Sequence, residues 1–158
     1  IDAAGVAALV KNDTNKYRLF NVWSTTCGPC IVEFPGLIRV SRRMGLRDFE
    51  LITLSTDLPS DNERVRSFLD KQRASLPKKL TATLEKEGRK SNNYLYTEAS
   101  MDSLIKALDP EWPGPQPHTM LVAPGGKVAF RHTGEIGEEE LLDKILMVMG
   151  TGYKPSTR

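Results

Sequence analysis

The chain reads as an α/β domain, a central mixed β-sheet flanked by helices, and three observations predict it. First, a strand-like run, Leu19 to Trp23, leads within a few residues to a helical pattern that begins near Ile31. Second, Phe49 to Ser55 is a short run rich in Leu and Ile, which suits a buried strand and completes a β-α-β unit. Third, Thr119–Ala123 and Lys127–His132 flank Pro124-Gly125-Gly126 and are followed by an amphipathic stretch from Glu138 to Met149, a β-β-α unit. At 158 residues with 39% apolar residues, the sequence fits one domain with a sizeable core, expected over 1–150.

The elements follow in order. Asp2 is placed to cap a first helix over Ala3–Lys11, and a polar turn at Asn12–Lys16 leads to a strand at Arg18–Trp23. Beyond the cysteines, Ile31, Phe34, Leu37, Ile38 and Met44 recur at near-helical spacing, predicting a long amphipathic helix to about Arg43. Pro35 is expected to kink it, because a proline there removes the bond to the carbonyl of Ile31. Ser60-Asp61-Asn62-Glu63 has the capping-box pattern, with Val65, Phe68 and Leu69 as the apolar face of a helix ending near Ala74. A short strand is expected at Tyr94–Thr97. A helix capped by Ser100 follows, with Met101, Leu104, Ile105 and Leu108 on one face. The three prolines of Asp109–Pro115 forbid regular structure and predict a rigid loop into Pro117. Thr151 to Arg158 lacks apolar periodicity and is expected to be a flexible tail.

The chemistry lies between the first strand and the second helix. Cys27-Gly28-Pro29-Cys30 holds the only two cysteines. A cysteine delivered to the first turn of a helix has its sulfur beside unpaired backbone N–H groups and the positive end of the helix dipole, where a thiolate is favoured. With Cys27 at the N-cap, its sulfur takes the place of a capping oxygen and can accept from the N–H of Cys30. Cys27 is then the attacking thiol, and the more shielded Cys30 resolves the mixed disulfide. Pro29 fits the first turn, where no intrahelical N–H is lost, and Gly28 leaves room for another chain to approach. Two other uses of the pair fit the sequence less well. A structural staple across so short a loop constrains little of the unfolded chain. Half of a zinc site would need two more ligands, and His118 and His132 have no finger-like spacing.

The segment Asn21-Val22-Trp23-Ser24-Thr25-Thr26-Cys27-Gly28-Pro29-Cys30-Ile31-Val32-Glu33-Phe34-Pro35 resembles the active-site segment of thioredoxin-like proteins, in particular the TlpA/ResA-type thiol–disulfide oxidoreductases. Glu33 and Pro35 match that family's pattern three and five residues beyond the second cysteine. Gln116-Pro117-His118-Thr119-Met120-Leu121-Val122-Ala123-Pro124-Gly125-Gly126-Lys127-Val128 resembles its stretch of cis-proline, strand, turn and strand. The resemblance implies a thioredoxin-like fold with an insertion at 75–115, a redox-active disulfide Cys27–Cys30 as the only redox group, and no separate cofactor. It also implies a cis-Pro117 whose backbone faces the cysteines and pairs with the substrate. Gln116 and His118 are then expected, with Gly28 and Pro29, to line the groove that receives the partner. Thr26 departs from the aromatic residue common before the first cysteine, so the rim is expected to be smaller and more polar.

Other residues carry weaker signals. Glu33, one turn beyond Cys30, reads either as a carboxylate assisting the buried thiol or as a solvated helix charge. Asn21 stands where cytosolic thioredoxins carry a buried acid, and as an amide it cannot take a proton, which leaves proton handling to Glu33 or water. Trp23 and Trp112 are expected to pack, although Trp112 could face the groove from its proline-rich loop. Two further function classes stay open on the same fold. A copper metallochaperone would use Cys27, Cys30 and His118 as ligands, since soft thiolates suit Cu(I). A thiol peroxidase would use Ser24, three residues before Cys27, but Phe20 stands where its upstream proline is expected.

Composition limits the partners. With 22 basic and 20 acidic residues the net charge is only +2, and the basic clusters at Arg39–Arg47 and Lys71–Lys79 are expected to be solvated faces rather than a nucleic-acid surface. No apolar stretch approaches a membrane span. The expected partners are protein disulfides and an upstream thiol reductant, met by a monomer outside the cytoplasm, as the resemblance implies, with a membrane anchor outside these residues allowed. No metal site is expected.

Overall fold

The computed structural model describes residues 1–74 and 78–151. The expected mixed sheet with helices on both faces is present. The chain runs α1 (Ala3–Lys11), β1 (Tyr17–Trp23), α2 (Gly28–Arg43), β2 (Phe49–Ser55), a 3-10 turn (Pro59–Asp61), α3 (Asn62–Lys71), α4 (Lys78–Lys86), β3 (Asn93–Leu95), α5 (Met101–Leu108), β4 (His118–Val122), β5 (Val128–Thr133) and α6 (Glu138–Met149). The sheet order is β3-β2-β1-β4-β5. β1 pairs parallel with β2, and β2 with β3, whereas β4 is antiparallel to both β1 and β5.

Side-chain alternation along β1 divides the core. Leu19 and Trp23 face one side, where they pack with Phe34, Leu37 and Val40 of α2 and with Leu141 and Ile145 of α6. Phe20 and Val22 face the other, against Val6 and Leu9 of α1 and Leu104 and Leu108 of α5. Both faces being covered, β1, β2 and β4 are buried almost throughout, which is why β2 reads as an apolar run. An aromatic trio under α2, Trp23, Phe34 and Phe68, has ring centroids 4.9–5.1 Å apart.

The helix ends show why most boundaries were readable. Asp2 Oδ1 accepts from Gly5 N–H at 2.8 Å, and Ser100 caps α5 through Ser103 N–H. The capping-box expectation at Ser60–Glu63 is corrected: Ser60 lies in the 3-10 turn, and Asp61, at the N-cap of α3, makes no side-chain cap bond. α2 runs as one element through Pro35. β3 pairs one residue earlier than expected, from Asn93. Within the expected insertion the chain forms α4, Lys78–Lys86, ahead of β3. At the β4–β5 turn, Gly126 has φ +92°, and a Cβ there would lie 2.9 Å from the carbonyl oxygen of Lys11 at the end of α1. The expected tail at 151–158 lies outside the described residues from 152 onward, and the expected 75–115 insertion includes the undescribed 75–77.

Candidate active site

Cys27 is the N-cap of α2, in extended backbone conformation, and its Sγ accepts from the N–H of Cys30 at 3.3 Å. The strand β1 ends at Trp23, and the four residues that follow turn the chain so that the sulfur meets the helix start. Pro29 stands in the first turn, where its ring presets the helical φ. The two sulfurs are joined in a disulfide, with Cα atoms 5.3 Å apart. Cys27 is partly exposed, Gly28 and Pro29 are exposed, and Cys30 is 1% exposed. A Cβ on Gly28 would meet nothing within 4 Å, so the approach over Cys27 is open.

Below the disulfide a polar row crosses an otherwise apolar sheet face. Asn21 pairs in register with Thr53 on one side and Thr119 on the other, and its amide donates to Glu33 Oε1 at 3.0 Å and Thr119 Oγ1 at 3.2 Å. Glu33 Oε2 accepts from Ile136 N–H at 2.9 Å. Glu33 is therefore not a solvated helix charge; it is buried one turn beyond Cys30. Burial pushes its carboxyl above the ordinary range, against the pull of the Ile136 and Asn21 hydrogen bonds, with Glu135 adding to the rise and His132 opposing it.

A cleft of about 310 Å³ borders the segment that leads into Cys27, lined by Ser24, Thr26, Thr56, Asp57, Leu58, Asp61, Arg64 and Gln116. Thr26 forms one wall and is exposed, giving the small polar rim expected of it. Gln116 forms another and is fixed by donating to Thr56 Oγ1 at 2.7 Å. The Gln116–Pro117 peptide is cis. Asp57 anchors the floor: it accepts from Thr25 N–H at 2.9 Å, from Thr25 Oγ1 at 2.5 Å and from Ser55 Oγ at 2.7 Å. Burial alone would raise the Asp57 carboxyl, but the Thr25, Ser55 and Arg64 donors bring it below the ordinary range. Arg64 Nε also donates to Thr25 Oγ1 at 2.7 Å, tying α3 to the segment that precedes the cysteines. Asp57 and Arg64 carry no motif, and sequence reading missed both them and the role of Thr25, which lies in the cysteine segment without a signal of its own.

Of the four residues expected to line the groove, Gln116 lines this cleft, while Gly28 and Pro29 are exposed next to Cys27 but are not among its lining residues. The fourth assignment is corrected. The His118 side chain does not line the cleft: it is 0% exposed, and its two ring nitrogens are engaged by Asp109 Oδ2 and Thr133 Oγ1, both at 2.9 Å. Position 118 shares a sheet face with Met120 and Val122, so the side chain points into the core rather than toward the sulfurs. With both nitrogens occupied, the residue also makes a poor third ligand for copper. Trp112 is buried and stacks on the His118 ring at 5.2 Å between centroids, so it too is a packing residue and does not face the groove. Among the described residues no helix is long and apolar enough to cross a membrane.

No family model matches the chain, and no curated protein matches it. Solved structures do resemble it. A thioredoxin-family thiol:disulfide interchange protein from Chlorobium tepidum is 18% identical, with 91% of this chain and 85% of that chain covered and a TM-score of 0.63. The thioredoxin domain of a thiol-disulfide oxidoreductase from Bacteroides vulgatus is 20% identical, covering 89% and 82%, with a TM-score of 0.56. A secreted Mycobacterium tuberculosis disulfide oxidoreductase is 14% identical, covering 85% and 84%, with a TM-score of 0.56. The fold is thioredoxin-like.

Proposed function

We propose that this chain is a thiol–disulfide oxidoreductase that reduces disulfides of partner proteins outside the cytoplasm. The observation that carries the reading is the placement of the sulfurs: Cys27 Sγ is accessible at a helix N-cap, with a backbone N–H donated to it, and Cys30 lies shielded within bonding distance. In the reduced protein the Cys27 thiolate attacks a sulfur of the partner disulfide. A mixed disulfide forms and one partner thiolate leaves, taking a proton from solvent. The Cys30 thiolate then attacks Cys27 Sγ, the mixed disulfide breaks, and the second partner thiolate departs. The protein is left with the Cys27–Cys30 disulfide, the state described here, and an upstream thiol reductant must restore the dithiol. The extracytoplasmic address is supported by the resemblance to proteins of that setting, one of the similar structures being of a secreted oxidoreductase.

The test is the equilibrium reduction potential in glutathione buffers. A value within about −270 to −120 mV, the range spanned by thioredoxin-type couples, is expected, toward the reducing end. A couple that resists reduction below about −300 mV would identify a structural staple and overturn the reading.

Glu33 is assigned as the base that takes the proton from Cys30 in the resolving step, directly or through water. Because burial raises its carboxyl, the ionised form appears only as pH climbs above the ordinary carboxylate range, and the resolving rate is expected to climb with it. A Glu33→Gln variant should slow release of the partner by about 10²-fold and flatten that limb of the pH profile. Rapid-mixing measurement of mixed-disulfide decay across pH checks this. For stability the sign runs the other way. A carboxyl raised in the folded state favours folding below its unfolded value, and that contribution is lost as pH rises through its folded value.

A further inference from the structure

His118 sits where an apolar side chain would suffice. Its neighbours on that face of β4 are Met120 and Val122, and the paired strand presents Val22 opposite it. Yet the imidazole is wholly buried together with the Asp109 carboxylate, at 0% and 1% exposure. Burying polar groups is costly unless every one is paired, and a hydrophobic residue of similar volume commonly stabilises as well or better.

The pairing here is complete and joins separate parts of the chain. His118 Nε2–H donates to Asp109 Oδ2 at 2.9 Å, in the tautomer the network requires, and Nδ1 accepts from Thr133 Oγ1 of β5 at 2.9 Å. Asp109 also accepts from Arg131 Nε at 2.9 Å and Nη2 at 3.2 Å, and from the N–H of Glu111 at 3.2 Å. Burial would raise the Asp109 carboxyl, but the Arg131 and His118 bonds hold it below the ordinary range. Burial also pushes the His118 imidazole below its ordinary value, against the upward pull of Asp109. Trp112 lies flat on the ring, and its Nε1–H closes the proline-rich loop on Pro115 O at 2.8 Å. Pro117 O accepts from Gly134 N–H at 2.8 Å. The segment between these clamps is Gln116–Pro117, and Gln116 is a wall of the cleft that Thr26, the residue before Cys27, also lines.

We propose that His118 is a positioning residue for partner docking: clamped between Asp109 and Thr133, it holds Gln116–Pro117 at the height at which the cleft wall meets the polypeptide carrying the target disulfide. This rests on the exchange activity proposed above. His118 touches neither sulfur nor partner, so its effect is on how a polypeptide is seated and not on the intrinsic reactivity of Cys27.

The experiment compares wild type with His118→Leu, which keeps bulk and removes both bonds, and with Thr133→Val, which removes one bond nearer the surface should the first variant fail to fold. His118→Gln retains a donor toward Asp109. Two substrates are used, insulin as a protein disulfide and 5,5′-dithiobis(2-nitrobenzoate) as a small one. For insulin, KM is expected to rise about tenfold in His118→Leu, equivalent to ~1.4 kcal/mol, with kcat within about twofold. Thr133→Val should shift KM in the same direction, and His118→Gln should recover part of the loss. Rates with the small disulfide, and the reduction potential, should match wild type. An unchanged KM for insulin in a folded variant, or a parallel fall with both substrates, would overturn the positioning role while leaving the exchange activity standing. A wild-type protein that reduces neither substrate would remove the activity itself, and this proposal with it.

Discussion

A Cys30→Ser protein mixed with a partner disulfide is expected to accumulate as a covalent complex through Cys27, whereas Cys27→Ser should trap almost nothing and lose catalytic exchange by about 10³-fold or more. The asymmetry follows from the helix start. Cys27 Sγ receives the Cys30 N–H at 3.3 Å and lies partly exposed beneath an unobstructed Gly28, so it is both stabilised as a thiolate and reachable. Cys30 is 1% exposed, with its sulfur turned toward Cys27 rather than toward solvent. A bulky partner can therefore reach the first sulfur and not the second. Without Cys30 the mixed disulfide has no internal thiol to release it, and it persists until an external thiol attacks. Non-reducing electrophoresis followed by mass spectrometry of the linked peptide reads the result directly. Equal trapping by both variants would show that the roles are shared, and no trapping by either would remove the exchange mechanism.

What could be read in sequence was whatever is written locally. Cys27 at the N-cap, Asp2 and Ser100 as caps, and the hairpin at Pro124-Gly125-Gly126 each depend on neighbours within four residues, and each is present. Glu33 was ambiguous because helical spacing says only which turn a residue occupies. The structure resolves it through Asn21 and Ile136, which arrive from β1 and from the loop before α6. His118 was misread for the related reason that a residue next to Pro117 can point either way, and only the strand register decides that it faces Asp109 and Trp112. Asp57 and Arg64 were invisible, since the contact of each with Thr25 spans more than thirty positions. The charges of β1 and β2 were the hardest to read. Arg18 and Glu50 sit inside strands, where a charged residue ordinarily signals a solvated face.

Those charges yield the largest expected loss of stability. Glu50 has no exposed side-chain surface, and its carboxylate is met by Arg89 Nη2 at 2.5 Å, Lys16 Nζ at 3.1 Å and Arg18 Nε at 3.5 Å. Glu87 pairs with the same three cations, so two carboxylates are shared among three positive groups at the end of the sheet where β1 and β2 begin. Burial would drive the Arg89 guanidinium down, but Glu50 and Tyr94 more than reverse this and hold it charged. A Glu50→Ala variant leaves Lys16, Arg18 and Arg89 sharing Glu87 alone, with three cations that cannot all reach water. Breaking a buried pair in this way costs about 3–5 kcal/mol, a large fraction of the ~5–15 kcal/mol that holds a domain together. Urea unfolding should show the midpoint falling with little change in slope, and high salt should rescue little of the loss because the site is screened from ions. The cysteines follow the opposite end of β1, so the fraction that remains folded should keep the reduction potential of wild type. A shift of less than about 1 kcal/mol would mean that the network is no better than a surface ion pair.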